Sequence, residues 1–150
     1  VEFCKDLGCY DVIITYDQAE SLDSSEAIII VDMAGNFNAM KALHEHFREN
    51  VKYSCKVGAT HISALDGDIN TLPGATPAFF FAPSQVAKRN QEWGPGEVQK
   101  LIGQALTGFQ KFSDQWMIVS RGSGVETIEQ TFNRVLSGKA SPSEGFILSI

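Results

Sequence analysis

Four short segments of this chain each follow a run of apolar residues, and they are where ligand chemistry is expected. They cover residues 16–17, 32–35, 58–61 and 82–83. Ligands of open α/β sheets bind beyond the carboxyl ends of the strands, so the residues just after each apolar run are the candidates. His61 is a candidate functional residue, because it lies at the carboxyl end of a predicted strand and imidazole can donate, accept or transfer a proton near neutral pH. A surface or hydrogen-bonded histidine is the alternative interpretation.

One acidic segment has part of the spacing of a calcium-binding loop. Asp66, Asp68 and Asn70 occupy positions 1, 3 and 5 of such a loop. The sixth position holds Thr71 instead of glycine, and the twelfth holds Pro77 instead of glutamate. We therefore predict a solvated turn and not a calcium site.

The cysteines and the two neighbouring histidines give no metal-binding pattern. Cys4, Cys9 and Cys55 form no CxxC motif and are odd in number, which favours a reduced, cytoplasmic protein with no zinc site. His44 and His46 lie two apart on a predicted helix, so they point in different directions and cannot share a metal. Cys55 lies within a predicted strand, where a buried and unreactive thiol is expected.

A glycine-containing loop precedes the last predicted helix. Gly122 and Gly124 flank Ser123 between a strand and a helix, which is where a loop could bind a phosphate through its amides. A full dinucleotide motif needs a third glycine where Thr127 stands, and Glu126 would repel an anion. The pattern therefore favours an ordinary turn and helix start.

The elements that must position these residues alternate between strand and helix. Runs of β-branched residues indicate buried strands, and apolar residues at helical spacing indicate helices, one of them capped by Asn36 and extending to about Asn50. The predicted strands cover residues 11–16, 27–31, 51–57, 77–82, 116–120 and 145–150, and the predicted helices cover 1–7, 37–50, 98–112 and 125–136. This alternation predicts an α/β fold with a mostly parallel sheet and flanking helices.

Composition and charge limit the classes of function. The chain has 150 residues, is 43% hydrophobic and carries a net charge of −6. This charge opposes binding to nucleic acid or to anionic membranes. No apolar run approaches the roughly 20 residues that cross a bilayer. Neither a nucleic acid nor a membrane is therefore an expected partner.

Four motifs occur along the chain in an order found in one enzyme superfamily. A helix ending in Leu7 and Gly8 leads into an apolar strand, residues 32–35 form an Asp-x-x-Gly strand end, residues 57–58 form a Val-Gly turn, and a strand at 145–148 follows the last helix. This order resembles the medium-chain dehydrogenase/reductase superfamily, on its quinone oxidoreductase-like and zinc-independent side. The sequence is most similar to an uncharacterised branch, over nearly the whole chain.

The resemblance implies a partial Rossmann-like fold, an NADP or NAD cofactor and a small-molecule substrate. Tyr16 and Asp17 would border the adenine, residues 32–35 would lie near a ribose, and Phe81 with Ala82 would close the nicotinamide end. Gly58 would let the nicotinamide approach the backbone, so Gly58→Val is expected to impair cofactor binding while folding stays largely intact. The implied cofactor contacts are Tyr16, Asp17, Asp32, Met33, Ala34, Gly35, Gly58, Ala59, Thr60, Phe81 and Ala82, and His61 is the implied catalytic residue.

The superfamily's glycine-rich phosphate loop has no counterpart here and would precede Val1. The chain is therefore expected to be a C-terminal portion with little cofactor binding of its own. Residues 1–115 would belong to the cofactor domain, and residues 116–150 would return toward a missing substrate domain. The alternative is a non-catalytic α/β module that self-associates through an exposed sheet edge, as a homodimer.

Overall fold

The computed structural model of the chain describes residues 1–59 and 67–150, which form two compact units. Unit 1 is Val1–Ala87 and unit 2 is Lys88–Ile150. His61 and Thr60 lie outside the described residues, as does Asp66 of the calcium-like pattern.

Unit 1 contains a three-stranded parallel sheet. Its strands are β1 (Ile28–Asp32), β2 (Val51–Lys56) and β3 (Ala78–Phe79), in the spatial order β1-β2-β3. Helix α1 (Glu2–Leu7) opens the chain, and helix α2 (Phe37–Phe47) connects β1 to β2. Short 3-10 turns occupy Tyr16–Ser21, Arg48–Asn50 and Ile69–Thr71.

Unit 2 repeats the strand-helix-strand arrangement on a smaller scale. Strands β4 (Ile118–Ser123) and β5 (Glu144–Ser149) pair in parallel, and helix α5 (Val125–Leu136) joins them. Helix α4 (Glu97–Ser113) precedes β4, and helix α3 (Ala82–Trp93) begins in unit 1 and ends in unit 2. All strand pairs of the described residues are parallel and accompanied by helices, which confirms the α/β, partial Rossmann-like fold class.

Local signals set the ends of α1 and α2 as predicted. Gly8 ends α1 in the left-handed conformation, with φ of 64°. The Asn36 side chain accepts a hydrogen bond from the backbone N–H of Ala39 and so caps the start of α2. The predicted end near Asn50 is three residues late, because the helix gives way to a 3-10 turn after Phe47.

Two predicted strands differ from the structure. Residues 11–15 have no regular structure and lead into a 3-10 turn, because β-branched residues become a strand only where a neighbouring strand satisfies their backbone. The predicted buried strand at 77–82 is reduced to the two exposed residues of β3. From Ala82 the chain is helical, and Pro83 suits a first turn because its missing N–H needs no partner there.

The core of unit 1 lies between its sheet and α2. Ile30, Phe47 and Val51 form a buried cluster, with Leu22 and Leu43 packed against it. His44 is fully buried beside this cluster and bonds at both ring nitrogens, to the Pro73 carbonyl at 2.8 Å and to the Ser54 hydroxyl at 2.9 Å. Because a carbonyl only accepts, Nδ1 carries the proton and Nε2 accepts from Ser54. These bonds fix α2, β2 and the loop at 73–75 to one another.

Candidate functional site

The carboxyl end of β1 forms a tight turn into α2. One carboxylate oxygen of Asp32, Oδ1, accepts the backbone N–H groups of Ala34 and Gly35 at 3.1 and 2.8 Å. Gly35 has a φ of 76°, which glycine adopts without strain. The other oxygen, Oδ2, is buried and has no hydrogen-bond partner among the described residues. Asp32 therefore holds the shape of this turn through its side chain.

The end of β2 lies against the same turn. The backbone N–H groups of Val57 and Gly58 both donate to the Asp32 carbonyl, at 2.8 and 3.2 Å. A Cβ atom on Gly58 would overlap the carbonyl oxygen of Met33. The absent side chain of Gly58 therefore makes room for the neighbouring backbone. The expectation that Gly58→Val leaves folding largely intact is wrong for this reason.

A cavity of about 430 Å³ opens at the carboxyl end of β1, and we call it the β1 cavity. Its three walls are the 14–22 segment, the end of β1 with its turn, and one face of α2. The lining residues are Ile14, Thr15, Tyr16, Ala19 and Leu22, then Ile30, Val31, Asp32, Met33 and Ala34, then Asn36, Ala39, Met40 and Leu43. Most of these side chains are apolar, so the cavity suits an uncharged ring system.

The structure brings four of the sequence-predicted residues together in the β1 cavity: Tyr16, Asp32, Met33 and Ala34. Gly35 belongs to the same turn, and Asp17 directly follows Tyr16. Gly58 reaches the turn from β2, and Ala59 follows it, exposed.

The remaining described candidates lie after β3. Phe81 is half-exposed and stacks on Phe79, with ring centroids 6.5 Å apart, and Ala82 begins α3. Neither lines the β1 cavity. Phe79 and Phe81 therefore form an aromatic pair of unit 1 outside the β1 cavity.

Sequence reasoning missed the α2 wall of the cavity. The apolar pattern of α2 identifies Met40 and Leu43 as facing inward, but it does not separate residues that fill the core from residues that border a cavity. The sequence identifies Asn36 only as the cap of α2. Its amide nitrogen, unlike its oxygen, has no partner among the described residues.

The other motifs have structural roles. Gly122 and Ser123 belong to β4, and a Cβ on Gly122 would meet the Thr127 methyl at 2.7 Å, so this glycine allows α5 to pack closely on the sheet. Cys55 is buried as predicted, at 4% exposure, and a hydrogen bond with Cys55 is the main cause of the raised pKa of Tyr53. The His46 ring donates to the Leu22 carbonyl at 2.8 Å.

Two further kinds of site are absent from the described residues. No group of three or more His, Cys, Asp or Glu residues in the described ranges could hold a metal ion. Within residues 1–59 and 67–150, every helix is too short or too polar to cross a membrane.

The fold and the site define an α/β protein with a ligand-sized cavity at the carboxyl end of a parallel sheet. The family model described as "Protein of unknown function (DUF2855)" matches residues 1–141, so the chain belongs to that family. No curated protein and no solved structure matches the chain.

Proposed function

We propose that this chain is the C-terminal part of a cytoplasmic, zinc-independent, NAD(P)-dependent oxidoreductase of the medium-chain dehydrogenase/reductase superfamily. The observation that carries the proposal is the meeting of Tyr16, Asp32, Met33 and Ala34 in one cavity. These residues come from two segments that the superfamily resemblance implies as cofactor contacts. Three free cysteines agree with a reducing compartment.

The described residues fit the nucleoside part of such a cofactor. The β1 cavity has the size of a small-molecule site, and its walls are mostly apolar. Tyr16 is 62% exposed and offers a ring face for stacking. The amide nitrogen of Asn36, which has no partner among residues 1–59 and 67–150, can donate to a ring nitrogen or a hydroxyl.

Each region of the site has a task under this proposal. The bound cofactor supplies the hydride. The Asp32 turn positions one ribose, while Gly58, which packs on the Met33 backbone, and Ala59 border the nicotinamide. Phe81 and Ala82 shield the nicotinamide end from water, and His61 makes the polar contact with substrate. The chain alone is expected to be inactive.

The test is binding of NADH and NADPH to the complete gene product. We expect saturating cofactor to raise the thermal midpoint, because a ligand that binds only the folded state stabilises it. Ala39→Phe should fill the cavity and remove the shift, whereas Ala105→Phe, outside the cavity on exposed α4, should keep it. A folded protein that shows no shift with either nucleotide would refute the proposal.

A second candidate function is a non-catalytic scaffold that self-associates. The observation in its favour is the edge of the unit 1 sheet, because β1 pairs with β2 alone among the described strands. Ile29 and Val31 on β1 are also 68% and 53% exposed. Such an edge can pair with another strand. A dimer in light scattering that Val31→Lys converts to monomer would favour this candidate, and a concentration-independent monomer would exclude it.

A further inference from the structure

Two of the three cysteines lie on either side of the left-handed stop that ends α1. Cys9 is exposed and Cys4 is partly exposed, whereas Cys55 is buried at 4% exposure. Gly8 stands between the first two with φ of 64°, and its backbone N–H donates to the Lys5 carbonyl at 3.1 Å. A defined backbone turn therefore joins the two cysteines that a small reagent can reach.

The hydrogen bond of the Gly8 amide is one of the two that define a Schellman stop, in which a helix ends at a left-handed glycine. In such a stop the residue four before the glycine and the residue just after it commonly pack against each other. Cys4 and Cys9 hold those two positions. An extended chain would separate residues five apart by about 17 Å, whereas a disulfide needs Cα atoms within about 7 Å of each other. The turn at Gly8 is therefore what allows the two sulfur atoms to meet.

We propose that Cys4 and Cys9 are a redox modification site, which a peroxide converts into a reversible disulfide. The thiolate of Cys9, the more exposed of the two, attacks one oxygen of hydrogen peroxide, the O–O bond breaks, hydroxide leaves, and Cys9 becomes a sulfenic acid. The thiolate of Cys4 then attacks the Cys9 sulfur, the S–O bond breaks, and a second hydroxide leaves. The protons that the two thiols release convert both hydroxides to water. The thiols thus lose the two electrons that the peroxide gains.

This modification site is separate from the β1 cavity. Neither Cys4 nor Cys9 is among the residues that line the cavity. The disulfide closes a ring of residues 4–9 and so fixes the end of α1, and a dithiol reopens the ring by thiol–disulfide exchange. The proposal is therefore independent of whether the chain binds a nucleotide.

The experiment is peptide mapping of the complete gene product after treatment with hydrogen peroxide, blocking of the remaining thiols with iodoacetamide and digestion with trypsin. Trypsin cuts after Lys5, between the two cysteines, so a disulfide holds the peptide that ends at Lys5 to the peptide 6–41. We expect this linked pair, about 2 Da lighter than its two thiol peptides together, and its loss after dithiothreitol. Cys55 should remain a thiol that is alkylated only after unfolding, because it is buried.

Gly8→Ala tests the geometry of the turn. Alanine finds open space at this position but disfavours a φ of 64°, so we expect the linked pair to form about fivefold or more slowly. Gly138→Ala is the matched control, because Gly138 follows α5 with φ of 70°, has open space around it and has no cysteine near it in sequence. It should leave the rate unchanged.

Three results would overturn the proposal. The first is oxidation of Cys9 with no link to Cys4. The second is a disulfide between two chains, or with a cysteine other than these two. The third is an equal rate of disulfide formation in Gly8→Ala and in the unsubstituted protein, because the pairing would then not depend on the stop of α1.

Discussion

The two units share a strand-helix-strand arrangement but differ in how well it is buried. In unit 1, α2 and the sheet enclose Ile30, Met40, Phe47 and Val51. In unit 2, whose residues are all described, Val98 is the buried apolar residue, and Phe132 on α5 is 63% exposed. A helix that crosses between parallel strands therefore does not by itself make a core.

The difference in burial between the two units also decides where a ligand can be held. A cavity keeps its shape only if its walls are packed from behind, and the β1 cavity borders the buried cluster of unit 1.

The two units also differ in net charge. Unit 1 has twelve acidic and five basic residues, a net of −7, and unit 2 has six acidic and seven basic, a net of +1, which together give −6.

The largest expected effect comes from the buried histidine of unit 1. His44→Ala removes both ring hydrogen bonds, leaves the Pro73 carbonyl and the Ser54 hydroxyl without those partners, and opens a void. We expect a loss of at least about 3 kcal/mol in the free energy of unfolding. Chemical denaturation followed by circular dichroism measures it.

His46→Ala on the same helix is the control for this prediction. The His46 ring makes one hydrogen bond and is partly exposed, so we expect a cost of about 1 kcal/mol. Equal losses for the two variants would mean that unit 1 does not depend on the His44 contacts.

The second prediction compares a glycine of each unit. Gly58→Ala should destabilise unit 1 by about 1–3 kcal/mol, because the new methyl group meets the Met33 backbone. Gly103→Ala in α4 meets open space and should stabilise its helix by up to about 1 kcal/mol. Thermal unfolding of both variants checks the opposite signs. A neutral Gly58→Ala would show that the two strand ends can separate without cost.

Local patterns predict the fold better than they predict the site. The Asn36 cap and the Gly8 stop follow from side-chain hydrogen bonding and from glycine's freedom of backbone angle, so the sequence reveals them. The strand predicted at 11–16 depends on a pairing partner, and partners are not visible in a local pattern. The sequence does not predict helix α3, because the aromatic run before Ala82 favours a strand up to that residue.

The candidate site was predictable where a residue follows a strand. Met33 lines the cavity because it directly follows β1, whereas Tyr16 lines it although residues 11–15 before it do not form the predicted strand. The role of Gly58 could not be read from sequence, since glycine that accommodates a ligand and glycine that accommodates backbone look alike in one chain. Asn36 and Ala39 belong to the site because the 14–22 segment lies opposite them. A local sequence pattern does not show such a contact between distant segments.

The smallest expected effect concerns an ion pair of unit 2. Glu144 accepts hydrogen bonds from the Ser141 backbone at 2.9 Å and from the Arg134 guanidinium at 2.6 Å, and the Ser141 bond is the main cause of its lowered pKa. A carboxyl whose folded pKa is depressed adds stability above its unfolded pKa and loses it as pH falls through the folded value. Glu144→Gln should therefore lower the unfolding midpoint slightly at pH 7, and the difference should shrink as the pH falls through the lowered pKa of Glu144, because a protonated glutamate is as neutral as glutamine. Because Arg134 is exposed, the difference should also shrink in high salt. A difference that persists unchanged in acid would mean that Glu144 acts through packing and not through its charge.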